Sequence, residues 1–330
     1  MKGTILLTGG CGFTGHHFVE HFLKCTEMNL VIFDRLTYAS FGYNRLRDIN
    51  AFDEKRVEVF TMDLSRPISI GVAQEVGEVD YIIHLAAETH VDNSIKEAYP
   101  FVMSNLLGTY NMLEYARTLN ELKRFVYFST DEVFGPAPEG VNYKEWDRYN
   151  STNPYSATKA GGEELCLAYA NCYKIPMIIT HTMNMFGERQ HPEKFIPLCI
   201  RKINNGEVIS IHGNSNRTRS GSRFYIHARN VANAVNYLLF SSDIHQRDKF
   251  NIVGEVEVSN LEIAEKISKI MGKGLRYEIV DFHSSRPGHD LRYALDGSKM
   301  KMLGWEPPVH FEQSLERVVN WTLANRRWLE

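Results

Sequence analysis

The sequence predicts an α/β protein built on a doubly wound parallel sheet, with a second, smaller α/β region beside it. Three observations predict it. An apolar run, Thr4-Ile5-Leu6-Leu7, feeds into Gly9-Gly10-Cys11-Gly12-Phe13-Thr14-Gly15 and then into a helical pattern reaching about Lys24. Further short apolar runs alternate with helix-length segments, the arithmetic of βαβ units. Several runs end in acids or small residues, namely Asp34, Asp63, Ala86-Ala87 and Asp131-Glu132. Ligands of such sheets collect outside the carboxyl ends of the strands, where these residues would stand.

Taken in order, the strand, glycine turn and helix at Thr4 to Lys24 give the context a phosphate-binding loop requires. Gly9, Gly12 and Gly15 let the backbone turn tightly, approach a pyrophosphate and pack the helix on the sheet, with the helix N-terminus facing the negative charge. The second run, Leu30 to Phe33, ends in Asp34, 19 residues after Gly15. A carboxylate there bonds ribose hydroxyls and repels a 2′-phosphate, which makes the fold Rossmann-like and the expected cofactor NAD rather than NADP. Strands follow at Val57 to Phe60 and Asp80 to Leu85, then a long helix from about Ala98 to Leu119, and a strand from Phe125. Asp63 can accept from an adenine amino group, and small Ala86 and Ala87 admit the cofactor close to the backbone.

The strand at Phe125 stops in Ser129-Thr130-Asp131-Glu132, two adjacent carboxylates at a strand end. Pro154 opens the next helix, which places Tyr155 and Lys159 at i, i+4, about 6 Å apart on one face. A base, an activating cation and two further carboxyl groups result. The ammonium is expected to lower the tyrosine's pKa towards working pH, and the repulsion between neighbouring acids to keep one of them, Asp131, protonated. After a strand at Met177 to His181 the alternation lapses. A substrate domain is expected over 183–223 and 251–330, against a cofactor domain over 1–182 to which about 224–250 returns. Helices are expected at about Glu193 to Asn204, Ala228 to Leu239, Asn260 to Met271 and Phe311 to Trp328, and a flexible polar loop at Gly213 to Ser222.

Composition excludes other classes. The 330 residues are 43% hydrophobic, with 37 basic against 40 acidic side chains and a net charge of −3, so no basic field suggests nucleic acid. No apolar stretch approaches the roughly 20 residues of a membrane span. Five cysteines without a CxxC fit reduced thiols of a cytoplasmic protein. His17 and His21, spaced i, i+4, are read as ordinary surface residues, and no metal site is expected.

TGGCGFTG, DRLTYAS, HLAAETHVDNSI, FSTDEVFG, NPYSATKA, NMFGERQHPEKFIP and RPGHDLRYALD, in that order, resemble the extended short-chain dehydrogenase/reductases, and most closely their dTDP-glucose 4,6-dehydratases. The Tyr-Lys pair marks only the superfamily, while the Thr-Asp-Glu triplet is much more specific, since epimerases and decarboxylases of this fold do not usually need an acid and a base beside the tyrosine. The resemblance implies Thr130, Asp131, Glu132, Tyr155 and Lys159 as catalytic residues. It implies cofactor contacts from the glycine loop with Phe13 and Thr14, and from Asp34, Thr37, Asp63, Leu64, Leu85, Ala86, Ala87, Ser104 and Lys159. Substrate contacts are implied for His90, Thr130, Asn184, Lys194, Phe195, His212, Arg286 and His289. Arg217, Arg219 and Arg223 compete for one diphosphate position, and Arg219 and Arg223 are carried as candidates. A nucleotide-diphosphate sugar as substrate and a homodimer are implied with them. Departures from the pattern gather near the nucleotide: Ser210-Ile211-His212 where Pro-Val-Tyr is common, Val256 for an Asn, Ser285 for an Asp, and Met185 for one of two asparagines. They leave the choice among dTDP, UDP and other nucleotides open.

Overall fold

The computed structural model describes residues 2–242, 244–281 and 291–330. Its centre is a seven-stranded parallel sheet in the order β3-β2-β1-β4-β5-β6-β11. The strands are β1 (Thr4–Thr8), β2 (Asn29–Asp34), β3 (Val57–Thr61), β4 (Tyr81–His84), β5 (Arg124–Thr130), β6 (Met177–Thr182) and β11 (Asp248–Ile252). The chain reverses direction of travel across the sheet between β1 and β4, so a crevice opens at their carboxyl ends.

Successive residues of β1 face opposite ways and both faces are buried, as a parallel sheet requires. Ile5 and Leu7 pack with Phe18 and Phe22 of α1 (Phe13–Cys25), and with Val231, Val235 and Leu238 of a later helix, Ala228–Phe240. Leu6 packs on the other face, with Leu113 and Cys166. Those two residues lie on helices that follow α2 (Val91–Lys96), namely α3 (Gly108–Ala116) and α4 (Pro154–Tyr173). The helix expected from Ala98 to Leu119 is interrupted: Val102–Leu107 winds as a π-helical segment, and the α-helix ends at Ala116. Segments of this kind commonly mark functional sites. Here the wider turn brings the buried Asn105 amide onto the backbone of Glu88, donating to its C=O at 3.0 Å and accepting from its N–H at 2.8 Å.

Further elements are α5 (Phe195–Asn205), α6 (Ala228–Phe240), α7 (Asn260–Met271) and α8 (Phe311–Ala324), with β7 (Met185–Phe186), β8 (Ile209–Gly213), β9 (Ser222–Phe224), β10 (Ile226–His227), β12 (Glu257–Ser259) and β13 (Tyr277–Asp281). These short strands pair as β7 with β10, β9 with β12 and β8 with β13. Ile200, Ile209, Ile263 and Val319 form a core of their own among α5, β8, α7 and α8. The helix expected to reach Trp328 ends at Ala324 and closes in a 3-10 turn, Arg326–Trp328. Between β8 and β9, the segment read as a flexible loop is a closed turn: the Asn214 side-chain oxygen accepts from the N–H groups of Thr218 and Arg219 at 2.9 and 3.0 Å. Among the described residues no helix is long and apolar enough to cross a membrane.

One reading is corrected by burial. His17 is no surface residue: it is enclosed between α1 and α6, its Nε2 3.2 Å from the Glu188 carbonyl and its ring 5.4 Å from that of His227, which pairs with the Glu188 carboxylate at 2.9 Å. Glu188 lies 171 residues away in sequence, and His227 farther still, which is why local spacing misjudges it. No group of three or more His, Cys, Asp or Glu side chains among the described residues is arranged to hold a metal.

Gly162 of α4 decides how closely that helix lies on β5. A Cβ there would fall 2.2 Å from the Tyr127 hydroxyl. Gly162→Ala gains about 1 kcal/mol of helix propensity but overpacks a filled contact at about 1–3 kcal/mol. Denaturant unfolding is therefore expected to show a net loss of stability, and a variant more stable than the parent would refute the contact's importance.

Candidate active site

A cleft of about 390 Å³ lies along the carboxyl ends of β1, β2, β4, β5 and β6. Its dinucleotide half begins at the glycine loop. Gly9 has φ +73°, and a Cβ on it would lie 3.0 Å from the backbone of Ala86; one on Gly15 would lie 2.1 Å from the Gly9 carbonyl. Thr8 fastens the two strand ends together, its hydroxyl accepting from the Ala86 N–H at 3.0 Å. Gly12 caps α1 without a side chain, which leaves the N–H groups of the first turn for a ligand. Asp34 closes β2 with its carboxylate held by the N–H groups of Cys11 at 2.9 Å and Leu36 at 2.8 Å, lone pairs remaining for hydroxyl donors. Arg35, the side chain that could welcome a 2′-phosphate, is engaged by Glu88 and lies 3.8 Å from Asp63. The residues present therefore fit a dinucleotide with free ribose hydroxyls.

The reacting half is organised by the end of β5. Thr130 accepts from the Glu132 N–H at 3.4 Å and donates to Asp131 Oδ1 at 3.0 Å, and its hydroxyl favours the Tyr155 phenolate. Asp131 and Glu132 turn into the cleft on a short 3-10 turn, Asp131–Phe134. Asn153 ties this turn to α4. Its Nδ2 donates to Glu132 Oε2 at 3.0 Å, while its Oδ1 accepts from the Ser156 N–H at 2.8 Å in a capping box, with Pro154 as the first helical residue. One side chain thus starts the helix that carries Tyr155 and aims the carboxylate opposite it.

Electrostatics differ from the sequence expectation at Tyr155. Burial raises Tyr155, and Glu132 and Asp131 add to that, so the neighbouring Lys159 does not bring the phenol down. Burial likewise presses Lys159 to about 8, against the opposing charge of Glu163. Both acids are raised, Asp131 to about 6 and Glu132 to about 7, in each case chiefly by burial. Arg223 and Thr130 favour the Asp131 anion; Asn153, Arg223 and Lys194 favour that of Glu132, which also faces Asp131. Both acids therefore keep their protons towards the neutral range. Asp131 Oδ2 is buried without a hydrogen-bond partner among the described residues.

All five residues singled out for catalysis line the cleft, as do Gly9, Gly12, Phe13, Thr14, Gly15, Asp34, Thr37, Asp63, Leu64, Leu85, Ala86, Ala87 and Ser104. His90, Asn184, Lys194 and Phe195 line its other end. His212, Arg219 and Arg223 do not. His212 lies on β8, opposite Val280 of β13. Arg219 is exposed and paired with Glu139 at 3.2 Å. Arg223 donates to the carbonyls of Ser222 and Leu291, both at 2.7 Å, and stacks on Tyr293, yet its charge reaches both acids of the triplet. Arg286 and His289 lie outside the described residues.

The structure adds residues that sequence reading missed. Glu163, one turn beyond Lys159, is fully buried and receives Ser129 at 2.5 Å, His181 at 3.1 Å, Lys249 at 3.4 Å and the Tyr149 hydroxyl. Burial alone would raise it, but these partners hold it at about 2. At the cleft mouth the Glu193 carboxylate stands 3.6 Å from both His90 and His191, and Tyr38 packs edge-on against the His191 ring. The i, i+4 spacing of Lys159 and Glu163 was available in the sequence; the Glu193 cluster, drawn from three separate segments, was not.

The family model for GDP-mannose 4,6 dehydratase matches residues 6–318. The low-salt glycan biosynthesis protein Agl12 of Haloferax volcanii is 38% identical over 97% of this chain and 99% of its own. A trifunctional UDP-glucose 4,6-dehydratase/UDP-4-keto-6-deoxy-D-glucose 3,5-epimerase/UDP-4-keto-L-rhamnose-reductase of Arabidopsis thaliana is 33% identical over 98% of this chain, which spans 48% of that protein. The crystal structure of DesIV, a dTDP-glucose 4,6-dehydratase of Streptomyces venezuelae solved with NAD bound, superimposes with a TM-score of 0.88 at 32% identity, covering 99% of each chain.

The raised acids make a stability prediction. A carboxyl whose folded pKa lies above its unfolded value stabilises the fold below the unfolded value, and that stability is lost as pH rises through the folded one. For Asp131 and Glu132 the window runs from about 4 to about 7. The double variant Asp131→Asn, Glu132→Gln should unfold at higher temperature than the parent at pH 8, with the difference disappearing near pH 4. A difference independent of pH would show that the acids are not strained by burial.

Proposed function

Because this chain belongs to the extended short-chain dehydrogenase/reductases, and within them to the family of the GDP-mannose 4,6 dehydratase model, we propose that it removes water from a nucleotide-diphosphate hexose to give the 4-keto-6-deoxy sugar. dTDP-glucose is the favoured substrate. The observation that carries this reading is the pairing of Asp131 and Glu132 in the same cleft as Tyr155 and Lys159. An epimerase needs a base for one hydroxyl and has no use for a second acid and base beside it.

The glycine loop and first turn of α1 would hold the pyrophosphate, Asp34 the ribose hydroxyls and Asp63 the adenine amino group. NAD, when bound, supplies a hydride acceptor at C4 and later a donor at C6, and adds a positive charge that works with Lys159 against the two acids at Tyr155. Tyr155 as phenolate takes the C4 hydroxyl proton. The resulting ketone acidifies C5, from which Glu132 as carboxylate removes a proton, while Asp131 as carboxylic acid protonates the departing C6 oxygen. Glu132 then returns its proton to C5. The low folded value of Glu163 keeps an anion one turn from Lys159, favouring its charged form. A homodimer is proposed with this reading, supported by Tyr99, Val102, Tyr110 and Tyr173, which stand exposed on or beside the helices of the α3 and α4 layer.

Two experiments test the chemistry. Asp131→Asn and Glu132→Gln should each slow dehydration by about 10² to 10⁴ while still forming bound NADH in a single turnover, whereas Tyr155→Phe should suppress NADH formation itself. Equal loss of the NADH signal in all three would overturn the roles. The nucleotide is tested by mass spectrometry of water loss from dTDP-glucose, UDP-glucose and GDP-mannose. UDP-glucose is a real second reading, supported by the Arabidopsis relative and by Val256, exposed where an amide is common. Turnover of both glucose nucleotides is expected, with kcat/KM within about 10⁴ of each other, since one methyl is worth about 1–3 kcal/mol. A larger preference would mean that polar contacts read the base.

A further inference from the structure

Among the described residues, Arg45 is the largest side chain wholly withdrawn from solvent, and it carries a charge that arginine does not give up. It stands on the short helix Asn44–Asp48, beside the dinucleotide half of the cleft. Its neighbours Arg35 and Arg189 have carboxylate partners in Glu88 and Asp48. Arg45, among the described residues, is hydrogen-bonded to carbonyls alone: its Nε donates to Arg189 at 3.0 Å, and its Nη1 to Ala39 at 2.7 Å and to Cys11 at 3.4 Å. Its Nη2 is buried without a hydrogen-bond partner among them. Phe41 and Trp328 cover the guanidinium, their ring centres 5.2 and 5.4 Å from its carbon.

A cation buried on neutral dipoles is costly, and the backbone around this one is strained as well. Phe41 and Arg189 hold φ of 54° and 64°, in the left-handed region that side chains seldom enter. Burial presses the guanidinium to about 10 despite the attraction of Asp34. Packing alone does not explain the choice, since a neutral side chain of similar length would fill the space between Phe41 and Trp328 without that cost. The position does offer reach. Cys11 belongs to the glycine loop and Ala39 to the segment that follows β2, and the charge is felt by Asp34 at the ribose end and by His16 in the first turn of α1. The lining on this side carries Asp34, Asp63 and Glu88 against Arg35 and Arg45. With Arg35 alone, an entering pyrophosphate would meet a surplus of negative charge, and the helix N-terminus supplies only about half a positive charge.

We propose that Arg45 sets the affinity for the dinucleotide: it is a buried cation that the folded chain leaves without a counter-charge and that the pyrophosphate of the bound cofactor neutralises. Its bond to Cys11 also occupies a glycine-loop carbonyl whose negative end would otherwise oppose a phosphate. Such a residue suits a cofactor that is reduced and reoxidised within one turnover and has no need to leave. The inference rests on the dinucleotide site and holds whichever sugar nucleotide is the substrate.

The test titrates the full chain, freed of cofactor, with NAD, ADP and adenosine by calorimetry; ADP carries a diphosphate that adenosine lacks. Arg45→Met should weaken NAD and ADP by about 10², leave adenosine little changed, and purify with less NAD than the parent. Arg45→Lys, which keeps the charge without the planar fork, should recover most of the loss. Unchanged affinity for ADP, equal losses for ADP and adenosine, or an Arg45→Lys variant as weak as Arg45→Met would overturn the proposal and leave Arg45 as a strut between loops. Should Arg45→Met not fold, the parent supplies a second measurement. At about 1 M salt, where the Debye length is about 3 Å, ADP should keep most of its advantage over adenosine, because a buried charge is screened little. An advantage that vanishes with salt would overturn the proposal. A chain that meets these expectations yet removes water from no nucleotide hexose would overturn the dehydratase reading alone.

Discussion

Two carboxyl groups side by side, held mostly out of water at the end of β5, are the constraint around which the molecule is arranged. Neither can be buried as an anion without help, and the help is specific: Thr130 for Asp131, Asn153 for Glu132, and the charge of Arg223 for both. Each helper belongs to a different element, so β5, α4 and β9 must be in place for the pair to exist. Asn153 is the most economical of them, since the same amide that receives Glu132 begins the helix bearing Tyr155 and Lys159. A fold that placed the acids without this support would shift their protons rather than their positions.

Behind the pair lies a second buried charge, Glu163, and its surroundings follow the opposite rule. Here the anion is fully compensated by Ser129, His181, Lys249 and Tyr149. The contrast separates strain that serves chemistry from structure that merely holds. An acid left short of donors keeps its proton into the neutral range, where it can exchange it; an acid given every donor becomes a permanent negative charge. Lys159 sits between these two environments, and its ionisation records both.

Much of this was legible in the amino-acid order. The glycine loop, the strands of the sheet, Asp34, the Thr-Asp-Glu triplet and the Tyr-Lys pair are local signals, and the cleft gathers them. What was not legible depends on distance along the chain. Nothing near His17 announces that Glu188 will cover it, and the apolar pattern between Ala98 and Leu119 carries no mark of the π-helical turn that brings Asn105 onto Glu88. The behaviour of Tyr155 was misread for a related reason: helix spacing gives the neighbouring lysine at once, but the stronger influences, burial and Glu132, come from packing one helix against another strand's end. His212 and Arg219 were placed by resemblance to a motif whose surroundings differ in this chain, and the structure keeps both out of the cleft lining.

The Lys249 contact with Glu163 also bears on how the protein is made. Lys249 belongs to β11, the outermost strand of the sheet, yet it reaches back 86 residues to the catalytic helix and 100 residues to Tyr149. A chain that reaches only as far as β6 already contains the glycine loop, the triplet and the Tyr-Lys pair, but its Glu163 lacks the Lys249 ammonium and β6 lacks a neighbour on one side. Since an uncompensated buried carboxylate destabilises its surroundings, β11 completes the compensation of the charge buried in the catalytic helix. Residues that take no part in the chemistry thus make the finished active site depend on three-quarters of the chain.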